Sequence, residues 1–411
     1  MAPIAAPAND APTLGWDTVF AVTTDELTDA IKRRGSSPKS MKTAPSGLIN
    51  LVVTADFGDW EVIPGGDGGI VNFALPMTNL VGNYVLKGVP GTVACADALA
   101  VIGIKLNVAP HIGPAYGVDG KQLPPADAGT TRHALTPRST TNDPLDPVAI
   151  INTVDFRTPL SDPQAHGVVK QAIGDWCNDN LGDFEHVFAF IDLNDQMATG
   201  AWAFCKPHTM SYAYVDRVDK KSGFLAVLCM TSADSVPNQQ VDGFAVPPGC
   251  GAGLLIRSKR FLVDMVQPGL LKMWPNLKAT DLEIASDDKI LKMKAGTSVL
   301  LPDVTDKNGN GPYSPKLLIF ELQILGTELQ ITTHTEVEVS PGVYGTNTSV
   351  NWYTITLGSN AKGEQTLVYT QSRLPSNTQG NRTDSGVAIV AGLLKAIIVV
   401  LGVLAIVLTD G

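Results

Sequence analysis

The sequence predicts an α+β fold in which an elongated, highly curved antiparallel β-sheet wraps around long amphipathic helices. Apolar and polar residues alternate with a period of two over long segments, whereas only a few segments have the period of an amphipathic helix. The chain of 411 residues contains 39 glycines and 28 prolines, which indicates many turns between strands. Half-buried strands combined with a few helices are typical of the α+β class.

The composition excludes several classes of protein. Hydrophobic residues make up 44% of the chain and charged residues 17%, a balance that neither disordered nor fibrous proteins show. Thirty basic and forty acidic side chains give a net charge of −10. An overall basic surface for nucleic acid is therefore absent.

The N-terminus and the cysteines indicate a cellular compartment. Residues 1–13 are rich in proline and alanine and are expected to form a flexible tail. Because no basic start precedes an apolar run, we expect no signal peptide and a protein that is cytoplasmic as synthesised, with any release by a non-classical route. We expect reduced, mostly buried thiols, because no Cys-x-x-Cys pair occurs among Cys95, Cys177, Cys205, Cys229 and Cys250.

The first two elements are a strand and a capped helix. Gly15–Val22 has the pattern of a short strand, and the helix that follows begins at Thr23 as N-cap. Glu26 stands three residues later, where a capping box places a carboxylate. Gly35 follows a basic last turn and ends the helix.

The central elements alternate between strands and helices. Helical spacing predicts helices over His166–Leu181 and Ser258–Met273, and Pro268 is a potential kink in the second. Val118–Pro147 is polar and rich in proline, threonine and aspartate, which predicts a long loop. Apolar or alternating runs predict strands over Leu48–Ala55, Ile70–Leu75, Ala98–Val108, Val187–Leu193, Ser211–Arg217 and Gly223–Thr231. Large aromatic side chains are expected to be buried and to pack helices against the sheet at Trp16, Trp60 and Trp176.

The clearest alternation in the chain lies at Glu328–Val339. Its twelve residues would span roughly 40 Å at about 3.3 Å per residue, which is long for a strand. Asn351–Leu357 and Glu364–Gln371 continue the antiparallel pattern. The alternation predicts an inner face with Leu329, Ile331, Val337 and Val339, and an outer face with Gln330, Glu336 and Glu338.

An apolar run of 22 residues, Val387–Leu408, stands close to the C-terminus and contains a single charge, Lys395. The length reaches the roughly 20 residues of a membrane span. Lys395 in its middle and the lack of a flanking basic cluster favour instead a helix packed against the chain's own strands. Membrane spanning, and exchange between the protein and a bilayer, remain the two alternatives.

Known catalytic motifs are absent from the sequence. The glycine-rich segments Pro64–Gly69 and Gly249–Gly253 lack the Gly-Lys-Ser/Thr ending of a phosphate-binding loop, and no Gly-x-Ser-x-Gly elbow occurs. Asp192 and Asp195 could form an acid pair, but two carboxylates in a strand-to-turn segment usually serve the turn. We therefore expect no enzyme, no catalytic residues and no cofactor, and the sequence leaves the ligand-binding residues undetermined.

Metal-binding patterns are equally weak. Asp306, Asn308, Asn310 and Gly311 match the opening of a calcium loop, but Leu317 stands where the bidentate glutamate is needed. Asp303–Pro312 is therefore predicted to be a surface turn. None of the six histidines, at 111, 133, 166, 186, 208 and 334, has metal-site spacing, so no metal site is expected.

Several structural segments resemble a known family. They are Gly15–Ala21 with its following helix, Ala55–Val62 with the glycine-rich turn and Phe73–Pro76, Val187–Asn194, Gly223–Thr231, Phe261–Leu262 before Pro268–Gly269, and Tyr313–Pro315. These segments are similar to the TULIP-type accessory proteins encoded beside clostridial neurotoxins, the forty-seven-kilodalton protein and its open-reading-frame-X neighbours. The resemblance covers most of Leu14–Tyr369.

The resemblance implies a tubular lipid-binding module over 14–408, with one or two sub-lobes. It implies a bacterial, non-enzymatic accessory protein that binds a lipid or another apolar ligand. One alternative is an assembly or chaperone-like protein that contacts a toxin or a sister accessory protein and carries no lipid. A second alternative is membrane insertion or contact through 387–408. The residues leave the ligand, the partner and the oligomeric state open.

Overall fold

The computed structural model describes residues 11–45, 50–116, 121–123, 125, 132–138, 146–184, 188–192, 203–285, 288–305, 311–359 and 365–385. The chain divides into two compact units, one formed by 11–256 and the other by 257–411 together with 1–10. Residues 1–10 of the predicted tail and the predicted helix 387–408 lie outside the described residues.

The N-terminal unit is built mainly of antiparallel strands. Its helices are α1 (Thr24–Arg34) and α2 (His166–Asp179), with 3-10 turns at Pro163–Ala165, Leu181–Asp183 and Ala203–Cys205. Its described strands are β1 (Thr18–Thr23), β2 (Ser40–Lys42), β3 (Val52–Phe57), β4 (Glu61–Asp67), β5 (Ile70–Leu86), β6 (Val89–Pro110), β7 (Arg132–Pro137), β8 (Ala149–Asp155), β9 (Ala189–Asp192), β10 (Thr209–Asp216), β11 (Gly223–Met230) and β12 (Ala252–Ile256).

These strands form two sheets within the described residues. One sheet has four strands in the order β10–β11–β1–β12. The other has eight strands in the order β2–β3–β5–β6–β7–β9, with β4 also paired to β5 and β8 also paired to β6. Every pairing is antiparallel, which confirms the predicted sheet type.

The hairpin β5–β6 is the longest in this unit. The predicted strands Ile70–Leu75 and Ala98–Val108 are only parts of it, since β5 has 17 residues and β6 has 22. The strands turn at Lys87 and Gly88, which both have positive φ angles, 50° and 82°. Two consecutive positive φ angles match the right-handed twist of a hairpin, and this turn keeps the long strands in register.

Helix α1 has the ends that the sequence predicts. The hydroxyl of Thr23 accepts a hydrogen bond from the backbone N–H of Glu26 at 3.5 Å. Gly35 ends the helix with φ 58°, the left-handed conformation in which glycine is favoured. Leu27 and Ile31, one turn apart, are buried in the core of the unit.

The prediction of a long loop over Val118–Pro147 is wrong in one respect, because this segment contains strand β7. Ala134 and Leu135 are buried in this strand. Cross-strand pairing with the end of β6, for example Leu135 with Val108, holds the segment extended. The segment is too short and too polar for the periodicity of its own residues to indicate a strand, so its pairing partner decides the structure.

Aromatic residues fill the core of the N-terminal unit. Trp60 is fully buried, and its ring stacks on Phe73 with 4.6 Å between centroids. Trp176 of α2 lies 5.3 Å from Phe57 of β3, which agrees with the prediction that it packs a helix against the sheet. Trp16 is also buried, but it packs in a cluster with the loop residue Val241 and the four-stranded sheet, and not beneath a helix.

The C-terminal unit consists of one antiparallel sheet and a short helical segment. Its described strands are β13 (Leu282–Ile284), β14 (Ile290–Met293), β15 (Val299–Leu300), β16 (Lys316–Leu325), β17 (Glu328–Ser340), β18 (Val343–Ser359) and β19 (Gln365–Thr383). Their order is β13–β14–β16–β17–β18–β19, with β15 also paired to β16. A 3-10 turn spans Ala279–Asp281.

The helical segment runs over 258–273, as predicted, but not as a uniform α-helix. It combines α-helical Ser258–Arg260, π-helical Phe261–Val266 and α-helical Gln267–Met273. Pro268 lies inside this segment, just after the π-helical part, where it removes one backbone N–H donor. After the helix, Trp274 packs edge-on against Phe320 of β16 at 5.4 Å.

The predicted alternation of β17 is confirmed. The four residues assigned to the inner face are all buried, namely Leu329, Ile331, Val337 and Val339. On the outer face Glu338 is exposed, and Gln330 and Glu336 are half-buried. The register with β16 and β18 keeps this separation of faces, with one irregularity in the pairing with β16, opposite His334 and Thr335, and another in the pairing with β18, between Glu338 and Ser340.

A membrane-spanning helix was one alternative at the sequence level. Among the residues that the structure describes, no helix has both the length and the apolar character that a bilayer crossing requires. The segment to which that alternative applied, 387–408, lies outside these residues, so its predicted helix stays a prediction.

Replacing Trp60 by alanine is expected to lower the free energy of unfolding by about 3–5 kcal/mol, since a large buried aromatic leaves a cavity. Chemical denaturation followed by circular dichroism measures this loss. Trp60→Phe is the matched control: it keeps the stacking on Phe73 and removes an indole N–H that has no hydrogen-bond partner in the described structure. An unchanged midpoint for Trp60→Ala would contradict the packing role.

Candidate interaction surface

The glycine-rich segments of the sequence are packing sites. Gly66 lies so close to Tyr214 and to the carbonyl of Ile70 that a Cβ atom would approach them at 2.6 and 2.5 Å. The backbone N–H of Gly65 donates to Asp216 of β10 at 3.0 Å. Glycine here lets the β4–β5 turn approach the four-stranded sheet.

The buried carboxylate of Asp17 also serves the fold. One of its oxygens accepts hydrogen bonds from the backbone N–H and the hydroxyl of Thr231 and of Ser232, at 2.9–3.1 Å. Burial raises the pKa of this carboxyl, but the hydrogen bonds outweigh burial and lower the pKa overall. Asp17 therefore fixes the end of β11 as an ionised carboxylate.

The other candidates from the sequence do not converge. Within the described residues no group of histidine, cysteine, aspartate or glutamate side chains could hold a metal ion. Asp192 lies in β9, whereas Asp195 and residues 306–310 of the calcium-like loop lie outside the described part. The described cysteine thiols are free, and burial raises the pKa of Cys177 to about 12, which favours the unreactive thiol.

Helix α2 covers the edge of strand β8 in the N-terminal unit. The side chain of Asn178 in α2 accepts from the backbone N–H groups of Val148 and Ala149 at 3.1 and 3.0 Å. It donates to the carbonyl of Ala149 at 2.8 Å. Lys170, two turns earlier on α2, donates to the carbonyl of Asn152 at 3.0 Å. Helix α2 thus takes the place of a further strand.

Each edge of the four-stranded sheet is approached by other backbone at one point. Gly68 and Tyr214 of β10 exchange two backbone hydrogen bonds, at 3.1 and 2.7 Å. On the other side the carbonyl of Ala245 lies against Gly253 of β12, where a Cβ atom would be only 2.1 Å away. The outermost strands of the other sheets are short at β2, β9 and β13, with three, four and three residues. The edges that these strands form are therefore short as well.

Strand β19 differs from all of these edges. It has 19 residues and pairs with β18, and no other described strand lies on its second side. At about 3.3 Å per residue this edge is roughly 60 Å long. Side chains on both of its faces are exposed between Gln371 and Leu374, and Leu374 is 89% exposed.

The direction of the backbone groups on β19 follows from one hydrogen bond. The N–H of Asp384 donates to the carbonyl of Gly342 at 2.9 Å, so Asp384 faces the neighbouring strand. Backbone groups alternate along a strand, and the register between 376 and 383 is regular. Asn381 and Thr383 therefore direct their backbone N–H and C=O groups away from β18.

Strand β19 carries two charged side chains, and the first, Arg373, turns back over the sheet. Its guanidinium lies 4.8 Å from the ring centroid of Trp352 in β18 and pairs with Glu328 in β17. Hydrogen bonds from Ser372 and Arg373 lower the pKa of Glu328. Trp352 in turn donates through its indole N–H to Gln330 at 3.2 Å.

Arg382 repeats this arrangement near the other end of β19. Its guanidinium stacks on Tyr344 of β18 at 3.9 Å and donates to both oxygens of Glu336 in β17, at 2.9 and 3.0 Å. It also donates to Asp384 at 2.8 Å. The hydrogen bonds to Glu336 raise the pKa of Arg382. Both arginines thus direct their positive charge onto the outer face of the sheet rather than along the edge of β19.

Sequence reasoning missed this surface. The predicted strand Glu364–Gln371 ends before both arginines, because the segment beyond it lacks an apolar alternation. The signal that could have found it is compositional, because Arg373 and Arg382 are the only charged residues in 365–383. Their charge is opposite in sign to that of the glutamates in the predicted alternating strand.

A family model described as "OrfX-like: Protein OrfX2/OrfX3/P47" matches residues 13–410. The chain belongs to this family. The family predicted from the sequence, the toxin-cluster accessory proteins, is therefore confirmed.

Two curated relatives are both named Protein OrfX3. The one from Paraclostridium bifermentans is 30% identical over 392 residues, covering 89% of this chain and 76% of the relative. The one from Clostridium botulinum (strain Kyoto / Type A2) is 28% identical over 414 residues, covering 93% of this chain and 81% of the relative.

The fold is also similar to a solved structure. P47 from Clostridium botulinum A2 has a TM-score of 0.62 at 17% sequence identity, covering 92% of this chain and 84% of P47. At this identity the likeness concerns the fold alone. It confirms the mostly antiparallel β architecture with few helices.

Replacing Asn178 by alanine is expected to uncover the edge of β8 and to cost about 1–3 kcal/mol, since buried backbone groups lose their partners. Hydrogen exchange measured by mass spectrometry should show faster exchange at Val148 and Ala149. Asn178→Asp keeps the acceptor and loses the donor, so it should give an intermediate effect. Unchanged exchange in Asn178→Ala would contradict the covering role of α2.

Proposed function

We propose that this OrfX/P47-family protein is a non-enzymatic binding protein that assembles with a toxin or a sister accessory protein. The partner would add an extended strand to β19. The observation that carries this proposal is the long edge of β19, whose second side has no strand partner among the described residues.

Open edges are normally avoided because they invite pairing with other chains. This chain applies the usual remedies elsewhere, with α2 over β8 and backbone contacts over β10 and β12. On β19 the only charged side chains, Arg373 and Arg382, are held back by Glu328 and Glu336. Over 376–383, beyond Pro375 and the irregular pairing around it, a partner strand would therefore meet backbone donors and acceptors with no charge standing in its way.

The packing of the N-terminal core supports protein assembly over storage of a ligand inside this unit. Among the described residues the core of this unit is packed with its own side chains, and Trp60, Phe73, Phe184 and Tyr214 are each at most 2% exposed. Such a core leaves the outer surface as the place where a partner acts.

The edge is tested by removing one outward backbone donor. Asn381→Pro deletes the N–H that points away from β18, and Asn381→Ala leaves that N–H in place. We expect wild type and Asn381→Ala to bind a purified toxin or sister accessory protein of the same cluster. Asn381→Pro should weaken binding about tenfold, since the strand loses a hydrogen bond and meets the proline ring.

Affinities are measured by biolayer interferometry, and circular dichroism checks that each variant remains folded. Equal affinity for Asn381→Pro and Asn381→Ala would contradict the proposed strand addition. Failure of the wild-type chain to bind any protein of its cluster would contradict the assembly function as a whole.

A second candidate function, binding of a lipid or another apolar ligand, is favoured by one surface feature of the N-terminal unit. Phe20 of β1 and Leu254 of β12 are direct cross-strand partners, and they are 46% and 44% exposed. Adjacent exposed apolar side chains can contact an acyl chain.

Lipid binding is tested by native mass spectrometry of the purified chain, with extraction of any bound lipid. The double variant Phe20→Ser, Leu254→Ser should lose the lipid adducts. The control variant Val218→Ser, which changes an exposed apolar residue elsewhere in the unit, should keep them. Wild-type protein that stays empty after incubation with mixed phospholipid vesicles would contradict this second function.

A further inference from the structure

A cleft of about 500 Å³ opens at one end of the C-terminal sheet, apart from the edge of β19. Its lining is mostly polar and includes Tyr313, Ser314, Lys316, Glu336, Glu338 and Tyr344. The volume lies in the range of small-ligand sites, which is about 300–1,000 Å³.

Strand register places the charged residues of this cleft on the same face of the sheet. Lys316 of β16 is the direct cross-strand partner of Glu336 in β17. Glu338, two residues further along β17, is the partner of Tyr344 in β18. Direct partners share a face, so Lys316 and Glu338 are diagonal neighbours on the outer face.

Arg382 determines which of these charges are neutralised. It donates to both oxygens of Glu336, the carboxylate nearest to Lys316 in the register. In the part of the chain that the structure describes, neither Lys316 nor Glu338 forms an ion pair. Glu338 accepts one hydrogen bond, from the backbone N–H of Gly342 at 3.0 Å. The cleft thus presents one ammonium and one carboxylate that do not neutralise each other.

The spacing of the two charges restricts the ligand. Diagonal neighbours in an antiparallel pair lie roughly 7–8 Å apart. The lysine and glutamate side chains are both long, so their charged ends can contact the two ends of a ligand that carries an anion and a cation a few ångströms apart. A phosphate ester of a short amino alcohol carries its anion and its cation further apart than a free amino acid does and suits such a pair.

The chemistry of the lining agrees with such a ligand. Lysine is a common phosphate-binding residue and would receive the anionic end at Lys316. A cationic amine is stabilised by a carboxylate and by the faces of aromatic rings, which Glu338 and Tyr313 supply. The guanidinium of Arg382 packs on one face of the Tyr344 ring and holds this ring in place along one side of the cleft.

We propose that this cleft binds a zwitterionic phosphate ester of an amino alcohol, of the phosphocholine type, with phosphate at Lys316 and amine at Glu338 and Tyr313. The same chemistry occurs in a free small molecule and in a lipid headgroup. The site lies on a different part of the sheet from the strand edge of the proposed assembly function and does not depend on it.

The test uses the purified full chain and phosphocholine as the probe, with binding followed by ³¹P and saturation-transfer NMR. We expect saturable binding to the wild type. Lys316→Ala and Glu338→Gln should each weaken it at least fivefold, and Lys294→Ala, at another exposed lysine of the same unit, should not. Unchanged melting temperatures confirm that the variants are folded.

Inorganic phosphate and choline chloride alone should each bind at least tenfold more weakly than phosphocholine, because each satisfies one charge. Flotation with phosphatidylcholine vesicles, compared with phosphatidylglycerol vesicles, separates the two sources of the group. Binding of soluble phosphocholine with phosphatidylcholine flotation supports a lipid headgroup, and binding without flotation supports a free small molecule.

Absence of saturable phosphocholine binding would overturn the proposal. So would equal binding of inorganic phosphate, which indicates a simple anion site, or binding that survives in both Lys316→Ala and Glu338→Gln. None of these outcomes depends on Asn381, so the proposed assembly function is tested separately.

Discussion

The hydrogen-bonding requirement of strand edges is the constraint on which the rest of this structure depends. Every backbone N–H and C=O at the edge of a sheet needs a partner or water. In the N-terminal unit this need explains why Asn178 of α2 faces β8, where its side chain hydrogen-bonds to backbone groups of Val148 and Ala149. The same need makes β19 conspicuous, since its second side has no strand partner among the described residues.

Charge on the C-terminal sheet is organised by the same strand register. Each arginine of β19 crosses an aromatic ring of β18 to reach a glutamate of β17. One consequence is an edge without projecting charge. A second consequence is that Arg382 occupies Glu336 and leaves Lys316 without its nearest carboxylate. The two proposals about this unit therefore rest on one arrangement of side chains but on different surfaces.

The comparison with P47 separates what the fold requires from what function requires. A TM-score of 0.62 at 17% identity means that few individual residues are needed to maintain the fold. Alternation and turn residues are enough, because many apolar side chains can fill a given layer. Function in such a family has to be argued from particular surface residues, since a shared fold alone does not establish it.

Local patterns in the sequence predicted much of this protein correctly. The alternation of 328–339 predicted both faces of β17, the cap residues Thr23 and Gly35 predicted the ends of α1, and helical spacing predicted 258–273. These features depend on residues within a few positions of each other, which a single sequence displays directly.

The candidate surface could not be predicted in this way. Pairing between separate segments creates strand β7 and the full length of β19. It also brings Arg373 and Arg382 over the aromatic rings of β18. A polar segment becomes a strand when a neighbour supplies its hydrogen bonds, and its own periodicity carries no record of that neighbour. The sequence by itself determined which residues of β17 face inward and where α1 begins and ends. The tertiary structure alone decided which strands pair and therefore which edge and which charges remain available, because register is a property of two strands together.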